Sequence, residues 1–280
     1  MTAPALDVEK TSHPDRAAII IPARYGSTRY PGKPLVSLTG ANGTPRTLIE
    51  HSWRAANRVP GVDFVVVATD DMRIAEEARR FGGVAIMTAE SCANGTERCA
   101  EALAHMADPP AIIVNFQGDA PLMPAYVVSR LIEHLRNDAA TAVATPALRC
   151  TPSLYHHLNE DERAGRVGGT TVVCDAWSRA LYFSKRTLPF LPEHWRGGDE
   201  CPALLHLGAY AYRPASLADY AAWPPCLLEQ AEGLEQLRFL YNGVGIKVVK
   251  CDVPDWDVVE LNNPSDVPVV EAMLRRSGLD

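Results

Sequence analysis

The sequence predicts an α/β fold with a doubly wound, mostly parallel sheet, and three observations support this prediction. Short and almost continuously apolar runs recur through the first half of the chain, as expected for parallel strands covered on both faces. The segments between them place apolar residues three and four positions apart, which is typical of amphipathic helices. The strand–helix–strand order therefore predicts right-handed crossovers, with helices on both faces of one sheet.

The first strands and helices are predicted from these patterns alone. The predicted strands are Ala17–Ile21, Phe64–Ala68, Val84–Met87 and Ile112–Phe116. The apolar helix faces are formed by Ile74, Ala78 and Phe81, by Ala100, Leu103, Ala104 and Ala107, and by Val127, Val128, Leu131, Ile132 and Leu135. Because ligands in such folds bind at the carboxyl ends of the strands, we expect the functional site in the loops that follow them.

The second half predicts further strands and helices. The predicted strands are Thr171–Cys174, Ala180–Phe183, Leu205–Tyr212 and Ile246–Lys250. Residues Arg149–Gly169 are polar, so an irregular excursion is predicted there. Asn263 is predicted to cap the C-terminal helix, with Pro264 at its first position.

Leu227–Tyr241 is predicted to be one helix. Ala231, Leu234 and Leu237 would face inward, and the polar edge would consist of Glu235, Gln236 and Arg238. The simplest interpretation of this edge is a Glu–Arg pair on the protein surface.

Composition and charge limit the class of protein. The 280 residues are 22% charged and 47% hydrophobic, which is ordinary for one large globular domain or two intimate ones. The net charge of −7 argues against nucleic acid or an anionic membrane as the main partner. No apolar run approaches the ~20 residues of a membrane span, and residues 1–16 are predicted to be a loose tail. The seven cysteines form no CxxC pattern, which favours reduced thiols and a cytoplasmic location.

The stretch Pro22–Pro34, with the sequence PARYGSTRYPGKP, directly follows the first predicted strand. Its glycines permit backbone N–H groups to converge, and Arg24, Arg29 and Lys33 supply positive charge. Such a loop suits the phosphates of a nucleoside triphosphate, although its spacing is not that of a Walker A loop. The alternative is a basic surface loop made of turn residues.

Asp119 follows the strand Ile112–Phe116 in the motif Gln117-Gly118-Asp119, and Asp70 follows an earlier strand. The carboxylate of Asp119 is a candidate Mg²⁺ ligand, and the alternative is a cap for the helix that begins near Pro124.

The motif NGTER, Asn94–Arg98, is predicted to open a helix. Thr96 is the expected cap, and Glu97 suits the positive end of the helix dipole. The alternative is that this motif is a helix start and nothing more.

These motifs and three later ones resemble the sugar-acid cytidylyltransferases, in particular the family of 3-deoxy-manno-octulosonate (KDO) cytidylyltransferases. The resemblance extends from Ala17 to Leu274. The Gln117-Gly118-Asp119 motif lies within NFQGDAP at Asn115–Pro121, and the three later motifs are LYFSK at Leu181–Lys185, HLGAYAYR at His206–Arg213 and LEQLR at Leu234–Arg238. It implies a Rossmann-like fold of the nucleotide-diphospho-sugar transferase type, with a nucleotide half at residues 17–148 and an acceptor and dimerisation half at residues 149–280. CTP, Mg²⁺ and a homodimer are also implied.

The resemblance assigns expected roles to individual residues. The catalytic residues would be Arg24, Lys33 and Asp119. The nucleotide would contact Pro22, Ala23, Arg24, Ser27, Thr28, Arg29, Lys33, Thr69, Asp70, Asn94, Gly95, Thr96, Arg98, Gln117 and Gly118. The acceptor would contact Lys185, His206, Tyr210, Glu235 and Gln236, and the metal would bind Asp119 and Asn262.

Four positions depart from the family pattern. Asn262 stands where the family has its second metal-binding Asp, and Ala120 where it has an acidic residue. Lys185 replaces an Arg, and the Thr170-Thr171 pair replaces a segment that contains a Lys. The nucleotide loop is intact, so CTP use is expected while the identity of the acceptor is open. If Asp119 does not carry the metal, the alternative carboxylates are Asp257 and Glu260.

The sequence therefore predicts transfer of CMP from CTP to a small acidic acceptor, a KDO-like sugar acid, with release of pyrophosphate. An acceptor oxygen would attack the α-phosphorus in line, without a covalent intermediate. One alternative acceptor is a non-KDO acid, such as a phosphonate of specialised metabolism. Two alternatives belong to other classes: a catalytically silent nucleotide-binding relative, and a glycosyltransferase with the same architecture.

Overall fold

A computed structural model describes residues 15–27, 29–192, 195 and 201–280. Its strands are β1 Ala17–Ala23, β2 Ser37–Thr39, β3 Pro45–Thr47, β4 Phe64–Thr69, β5 Val84–Met87, β6 Ile112–Phe116, β7 Val143–Arg149, β8 Thr170–Cys174, β9 Ala180–Ser184, β10 Leu204–His206, β11 Ala209–Tyr212 and β12 Ile246–Cys251. Its α-helices are α1 Leu48–Asn57, α2 Met72–Arg80, α3 Gly95–Ala104, α4 Ala125–Asn137, α5 Pro152–Arg163, α6 Pro214–Ala222, α7 Leu227–Glu232, α8 Leu237–Tyr241 and α9 Val267–Arg276. Of the predicted tail, residues 1–14 lie outside the described residues.

One sheet joins both parts of the chain, in the order β5-β4-β1-β6-β11-β7-β10-β8-β9, with β12 beside β7. Strand β1 pairs in parallel with β4 and with β6, and β4 pairs in parallel with β5. Strand β12 is also parallel to β7, whereas β8 to β11 pair with antiparallel neighbours. The carboxyl ends of β1, β4 and β6 therefore meet at one edge.

Helices cover both faces of the sheet, so the predicted α/β fold class is confirmed. Ile19 and Ile21 of β1 pack in the cluster that includes buried residues of α1, α2 and α4. Ile20, which points to the opposite face, packs in the cluster that includes residues of α3, α6 and α8. All three isoleucines are fully buried, which accounts for the uninterrupted apolar run of this strand.

The segment predicted as one strand, Leu205–Tyr212, is interrupted. Strands β10 and β11 both lie antiparallel to β7, with His206 opposite Ala147 and Ala211 opposite Ala144. Two extra residues therefore lie between them, and the backbone N–H of Ala209 closes a tight turn on the carbonyl of Leu207. This bulge carries Gly208, and it divides the predicted strand into two.

The predicted irregular excursion after β7 was wrong, because α5 occupies most of it. Thr151 caps this helix through its hydroxyl, and Pro152 stands at its first turn. Only a narrow stripe of α5, including Tyr155 and Leu158, is buried. The polar composition of the segment reflects its solvent face, and it does not reflect a lack of structure.

The single helix predicted over Leu227–Tyr241 is two short helices, α7 and α8. Gly233 ends α7 with a φ of 62°, in the left-handed region that glycine adopts easily. The chain then turns, so that Ala231 is exposed while Gln236 and Arg238 are buried. The predicted inward face is confirmed for Leu234 and Leu237 but wrong for Ala231, and the predicted polar edge is wrong for Gln236 and Arg238.

The prediction for the C-terminal helix is confirmed. Asn263 caps a single turn at Pro264–Asp266 through a capping box with Asp266, and α9 follows directly. Val270 and Leu274 of α9 pack with Leu38 of β2 and with Leu261. In the described part of the chain, no helix combines the length and the hydrophobicity needed to cross a membrane.

Candidate active site

A cavity of about 320 Å³ opens where β1 and β6 end. Its lining combines the loop after β1, the start of α3 and the turn after β6. The lining residues are Pro22, Ala23, Arg24, Ser27, Arg29, Lys33, Pro34, Leu48, Cys92, Ala93, Asn94, Gly95, Arg98, Gln117, Gly118 and Asp119. Most of the residues predicted to contact the nucleotide thus line one cavity. Four lining residues were not predicted to do so: Leu48, and Pro34, Cys92 and Ala93, which adjoin the predicted segments.

The loop after β1 closes on itself around Tyr25. The carbonyl of Tyr25 accepts hydrogen bonds from the backbone N–H groups of Ser27 and Gly32, both at 2.9 Å. Gly32 has a φ of 71°, and a Cβ there would lie 3.0 Å from the Tyr25 ring, so no larger residue fits. Thr28, which was predicted to contact the nucleotide, lies outside the described residues.

Three cationic side chains of this loop line the cavity, and they differ in their hydrogen-bond and ion-pair partners. The ammonium of Lys33 lies 2.6 Å from a carboxylate oxygen of Asp119. The guanidinium of Arg29 donates to the side-chain oxygen of Asn262 at 2.8 Å. Arg24 is exposed, and within the described residues its guanidinium has no hydrogen bond or ion pair. Arg24 is therefore free to bind an anion, whereas Lys33 must share its charge with Asp119.

The start of α3 forms the opposite wall. Asn94 is the N-cap, because its side-chain oxygen accepts from the backbone N–H of Glu97 at 2.9 Å. The predicted cap, Thr96, is fully buried, and its hydroxyl bonds to the hydroxyl of Tyr212 at 2.9 Å. A Cβ on Gly95 would approach the side chains of Asn115 and Pro22 at 3.2 and 3.3 Å, which explains the glycine.

Arg98 lines the cavity, and its guanidinium is bound by residues that lie behind the cavity wall. It is 2% exposed, and it donates to the hydroxyl of Thr88 at 2.6 Å and to the carboxylate of Asp70 at 2.8 Å. Asp70 and its buried neighbour Thr69 do not line the cavity themselves. Asp70 therefore orients the cation of Arg98 from behind the cavity wall.

Behind Gln117 lies a buried amide. The side-chain nitrogen of Gln117 is 3.4 Å from the side-chain oxygen of Asn115. Asn115 is fully buried, and its Nδ2 has no hydrogen-bond partner in the described part of the chain. Gln117 thus lines this end of the cavity, and the unfilled amide nitrogen of Asn115 lies buried behind it.

Asp119 is not a helix cap. The N-cap of α4 is Pro124, and the Asp119 carboxylate turns to Lys33 instead. The segment before α9 runs directly beside it, since the backbone N–H of Leu261 donates to the Asp119 carbonyl at 3.0 Å. This segment brings Glu260, and burial together with repulsion from Asp119 raises the pKa of the Glu260 carboxyl to about 7.

Four of the five predicted acceptor residues form a buried group behind the cavity. The rings of His206 and Tyr210 lie 5.5 Å apart, and the bulge at Gly208 lies between them in sequence. The carboxylate of Glu235 accepts from the backbone N–H of Thr96 at 3.0 Å, and burial raises its pKa. The adjacent Gln236 is 2% exposed, and its Nε2 lacks a described partner.

These residues do not line the cavity itself. They reach its edge through Thr96 and through Gly208, where an added Cβ would lie 3.7 Å from Gln117.

The fifth predicted acceptor residue, Lys185, is exposed and follows β9. Its ammonium lies beside the break between α7 and α8, 2.8 Å from where a Cβ on Gly233 would stand. Its backbone N–H donates to the Glu232 carboxylate at 3.0 Å. Lys185 therefore presents a mobile point charge and lacks the rigid two-pronged donor of an arginine.

A buried ion-pair cluster fastens α7 and α8 to the start of α3. Arg238 is 1% exposed and binds both carboxylate oxygens of Glu229, at 2.7 and 2.6 Å. It also lies 2.9 Å from Glu97 and packs over the ring of Tyr220. Sequence periodicity did not reveal this cluster, because its members come from three separate segments.

The sequence of this chain is similar to those of known cytidylyltransferases. The cytidylyltransferase family profile matches residues 18–248. A KDO cytidylyltransferase of Maricaulis maris is 42% identical over 92% of this chain and 97% of its own length. One from Zea mays is 38% identical over 95% of this chain and 83% of its own length.

Among solved structures, a CMP:2-keto-3-deoxy-manno-octonic acid synthetase complexed with CTP has a TM-score of 0.79 and 33% identity, covering 94% of this chain and 99% of that one. A 4-diphosphocytidyl-2C-methyl-D-erythritol synthase from Anaerococcus prevotii, at 15% identity and a TM-score of 0.58, shares the fold alone.

The α/β sheet, with a cation-lined cavity at the carboxyl ends of its parallel strands, is that of a nucleotidyltransferase. The chain belongs to the cytidylyltransferase family.

The buried imidazole of His206 predicts a specific pH dependence of stability. Burial lowers the pKa of His206 to about 3 from an ordinary 6.5, so the unfolded chain binds this proton first as pH falls. His206 should therefore lower the unfolding free energy by about 1.4 kcal/mol between pH 7.5 and 5.5. Urea unfolding should show a smaller loss for His206→Gln than for the wild type. The control is His156→Gln, at an exposed site; equal losses in all three proteins would contradict the assignment.

Proposed function

We propose that this protein transfers the cytidylyl group of CTP to a small sugar acid of the KDO type and releases pyrophosphate. The observation that supports this most is the set of cations around one cavity, where Arg24 is unengaged and Lys33 and Arg29 are held at the same wall. The relatives named as KDO cytidylyltransferases support both the nucleotide and the class of acceptor.

In the proposed reaction, an oxygen of the acceptor forms a bond to the α-phosphorus of CTP. The bond from that phosphorus to the oxygen that bridges it to the β-phosphorus breaks, and pyrophosphate leaves with the electron pair. Arg24, Arg29 and Lys33 orient the triphosphate and neutralise its growing charge, so catalysis is mainly positioning and electrostatic stabilisation. No side chain is required to form a covalent bond.

Mg²⁺ is part of the proposal. The donors beside the cavity are oxygens, from the carboxylate of Asp119 and from the neighbouring segment 260–262, and oxygen donors suit this hard cation. When bound, Mg²⁺ would neutralise phosphate charge and align the reacting groups. Among the described residues no group of three or more His, Cys, Asp or Glu is arranged to hold a metal, so phosphate oxygens and water would complete the shell.

A homodimer and a cytoplasmic location complete the proposal. The resemblance suggests the dimer, and Trp177, Leu181 and Phe190 expose 69%, 61% and 80% of their surface in the segment around β9. The seven cysteines are unpaired thiols, as a reducing compartment would keep them.

The first prediction concerns the base. The Gln117 amide lines one end of the cavity and is backed by the Asn115 amide, and an amide's donor and acceptor suit the polar edge of cytosine. Calorimetric titrations with Mg²⁺ should rank CTP above UTP, ATP and GTP by about tenfold, the value of one well-placed hydrogen bond. The four nucleotides share the triphosphate, so equal affinities would contradict base recognition.

The second prediction concerns the cations. Arg24→Ala and Lys33→Ala should each lower kcat/KM by an amount equivalent to about 2–4 kcal/mol, the scale of one lost preorganised charge contact. Arg24→Ala should leave the melting temperature unchanged, because its guanidinium has no described partner. Arg276→Ala, at an exposed position on α9, is the control and should keep wild-type kinetics. Wild-type turnover in either loop variant would remove that residue from the mechanism.

The third prediction concerns the acceptor. The ammonium of Lys185 makes weaker geometric demands on a carboxylate than a guanidinium, so KDO should react with a kcat/KM below the ~10⁴–10⁸ M⁻¹s⁻¹ of well-matched enzymes. Lys185→Arg should raise the value for KDO, while a phosphonate acid tested in parallel should gain nothing. A wild-type value within that range would show that the departures from the family pattern do not affect KDO use.

A further inference from the structure

Glu260 occupies a position beside Asp119 that no sequence motif marks. The backbone N–H of Leu261 donates to the Asp119 carbonyl at 3.0 Å, which fixes the segment against the turn after β6. On the other side, a Cβ on Gly208 would lie 3.4 Å from the Glu260 Oε1, so the bulge before β11 leaves room for this carboxylate. Asp257, three residues earlier, is exposed.

Asn262, which was predicted to bind the metal, is engaged at both ends of its amide. Its oxygen accepts from Arg29 at 2.8 Å, and its nitrogen donates to the Glu260 Oε2 at 3.5 Å. An amide also brings no negative charge to a cation. The contacts of Asn262 therefore suit a residue that orients Arg29 and Glu260 better than they suit a ligand.

Glu260 and Asp119 are both half-buried, and the backbone hydrogen bond from Leu261 holds the two acidic residues in adjoining segments. Lys33 forms an ion pair with Asp119, whereas Glu260 forms no ion pair within the described residues. Glu260 has the long hydrogen bond from Asn262 and the more distant charges of Lys33 and Arg29. Two neighbouring, partly buried carboxylates are costly unless a cation lies between them. Asp119 lines the cavity and Glu260 lies in the segment that adjoins Asp119, and one or two carboxylates together with phosphate oxygens are the donors that Mg²⁺ takes in such sites.

We infer that Glu260 is the second carboxylate of the Mg²⁺ site, together with Asp119, and that Asn262 is a positioning residue. This inference rests on the proposed metal-dependent use of CTP. The acidic function that the family pattern places at position 262 is, in this chain, supplied two residues earlier.

The test is the coupling between Mg²⁺ and CTP, which needs no turnover. The dissociation constant of CTP is measured by calorimetry in a large excess of Mg²⁺ over CTP and again in EDTA, without acceptor. The ratio of the two constants reports the contribution of the metal. Glu260→Gln and Asp119→Asn should each reduce this ratio by about tenfold or more. Asp257→Asn is the matched control in the same segment and should keep the wild-type ratio.

The change in CTP affinity that Glu260→Gln causes in EDTA distinguishes a metal ligand from a residue that only supports the structure. Without metal, Glu260→Gln should bind CTP at least as tightly as the wild type, because it removes a negative charge near the triphosphate. The double variant Glu260→Gln/Asn262→Asp moves the carboxylate to position 262. In this variant Mg²⁺ should again tighten CTP binding, by much of the wild-type factor. Thermal unfolding of each variant checks that the fold is intact.

The possible failures are distinguishable. A wild-type protein whose CTP affinity does not respond to Mg²⁺ would overturn the proposed metal dependence, and the inference with it. If Mg²⁺ tightens CTP binding to Glu260→Gln as much as it does for the wild type, but no longer does so for Asp119→Asn, the role of Glu260 alone is overturned. Weaker CTP binding by Glu260→Gln in EDTA would also overturn it, since a structural defect would then explain the loss.

Discussion

The parallel pairing of β1 with both β4 and β6 is the constraint on which the rest of the structure depends. Ala17–Ile21 is fully buried, so this strand can exist only in the middle of a sheet with helices on both faces. Because its two neighbours run in the same direction, the loops after all three strands leave at one edge. The polar residues that the core excludes are thereby gathered around a single cavity.

At that edge most charges already have partners. Lys33 is paired with Asp119, and Arg98 is paired with Asp70 behind the cavity wall. A polyanion that enters the cavity must therefore share or exchange these contacts, except at Arg24. The arrangement pairs a concentrated set of charges before the nucleotide arrives, whereas Glu260 has one long hydrogen bond and no ion pair within the described residues.

The second half of the chain contributes to the site through its position in the same sheet. Strand β11 pairs with β6, which sets the bulge at Gly208 beside Gln117 and Glu260. The Arg238 cluster then ties α7 and α8 to the start of α3 through Glu229 and Glu97. Helices α7 and α8 are therefore joined to the cavity wall at the start of α3 by buried charge pairs.

The sequence by itself determined the central strands, the loop after β1 and the turn at Asp119. These features follow from local rules, because a continuous apolar run needs cover on both faces and the residues that end it must lie at a strand terminus. Only the tertiary structure decided that Arg238 is buried, that Asn94 caps α3 in place of Thr96, and that Glu260 lies beside Asp119 while Asp257 does not. In each case several nearby residues are equivalent by local pattern, and a contact with a residue far away in sequence selects one of them. A local pattern carries no information about that distant residue.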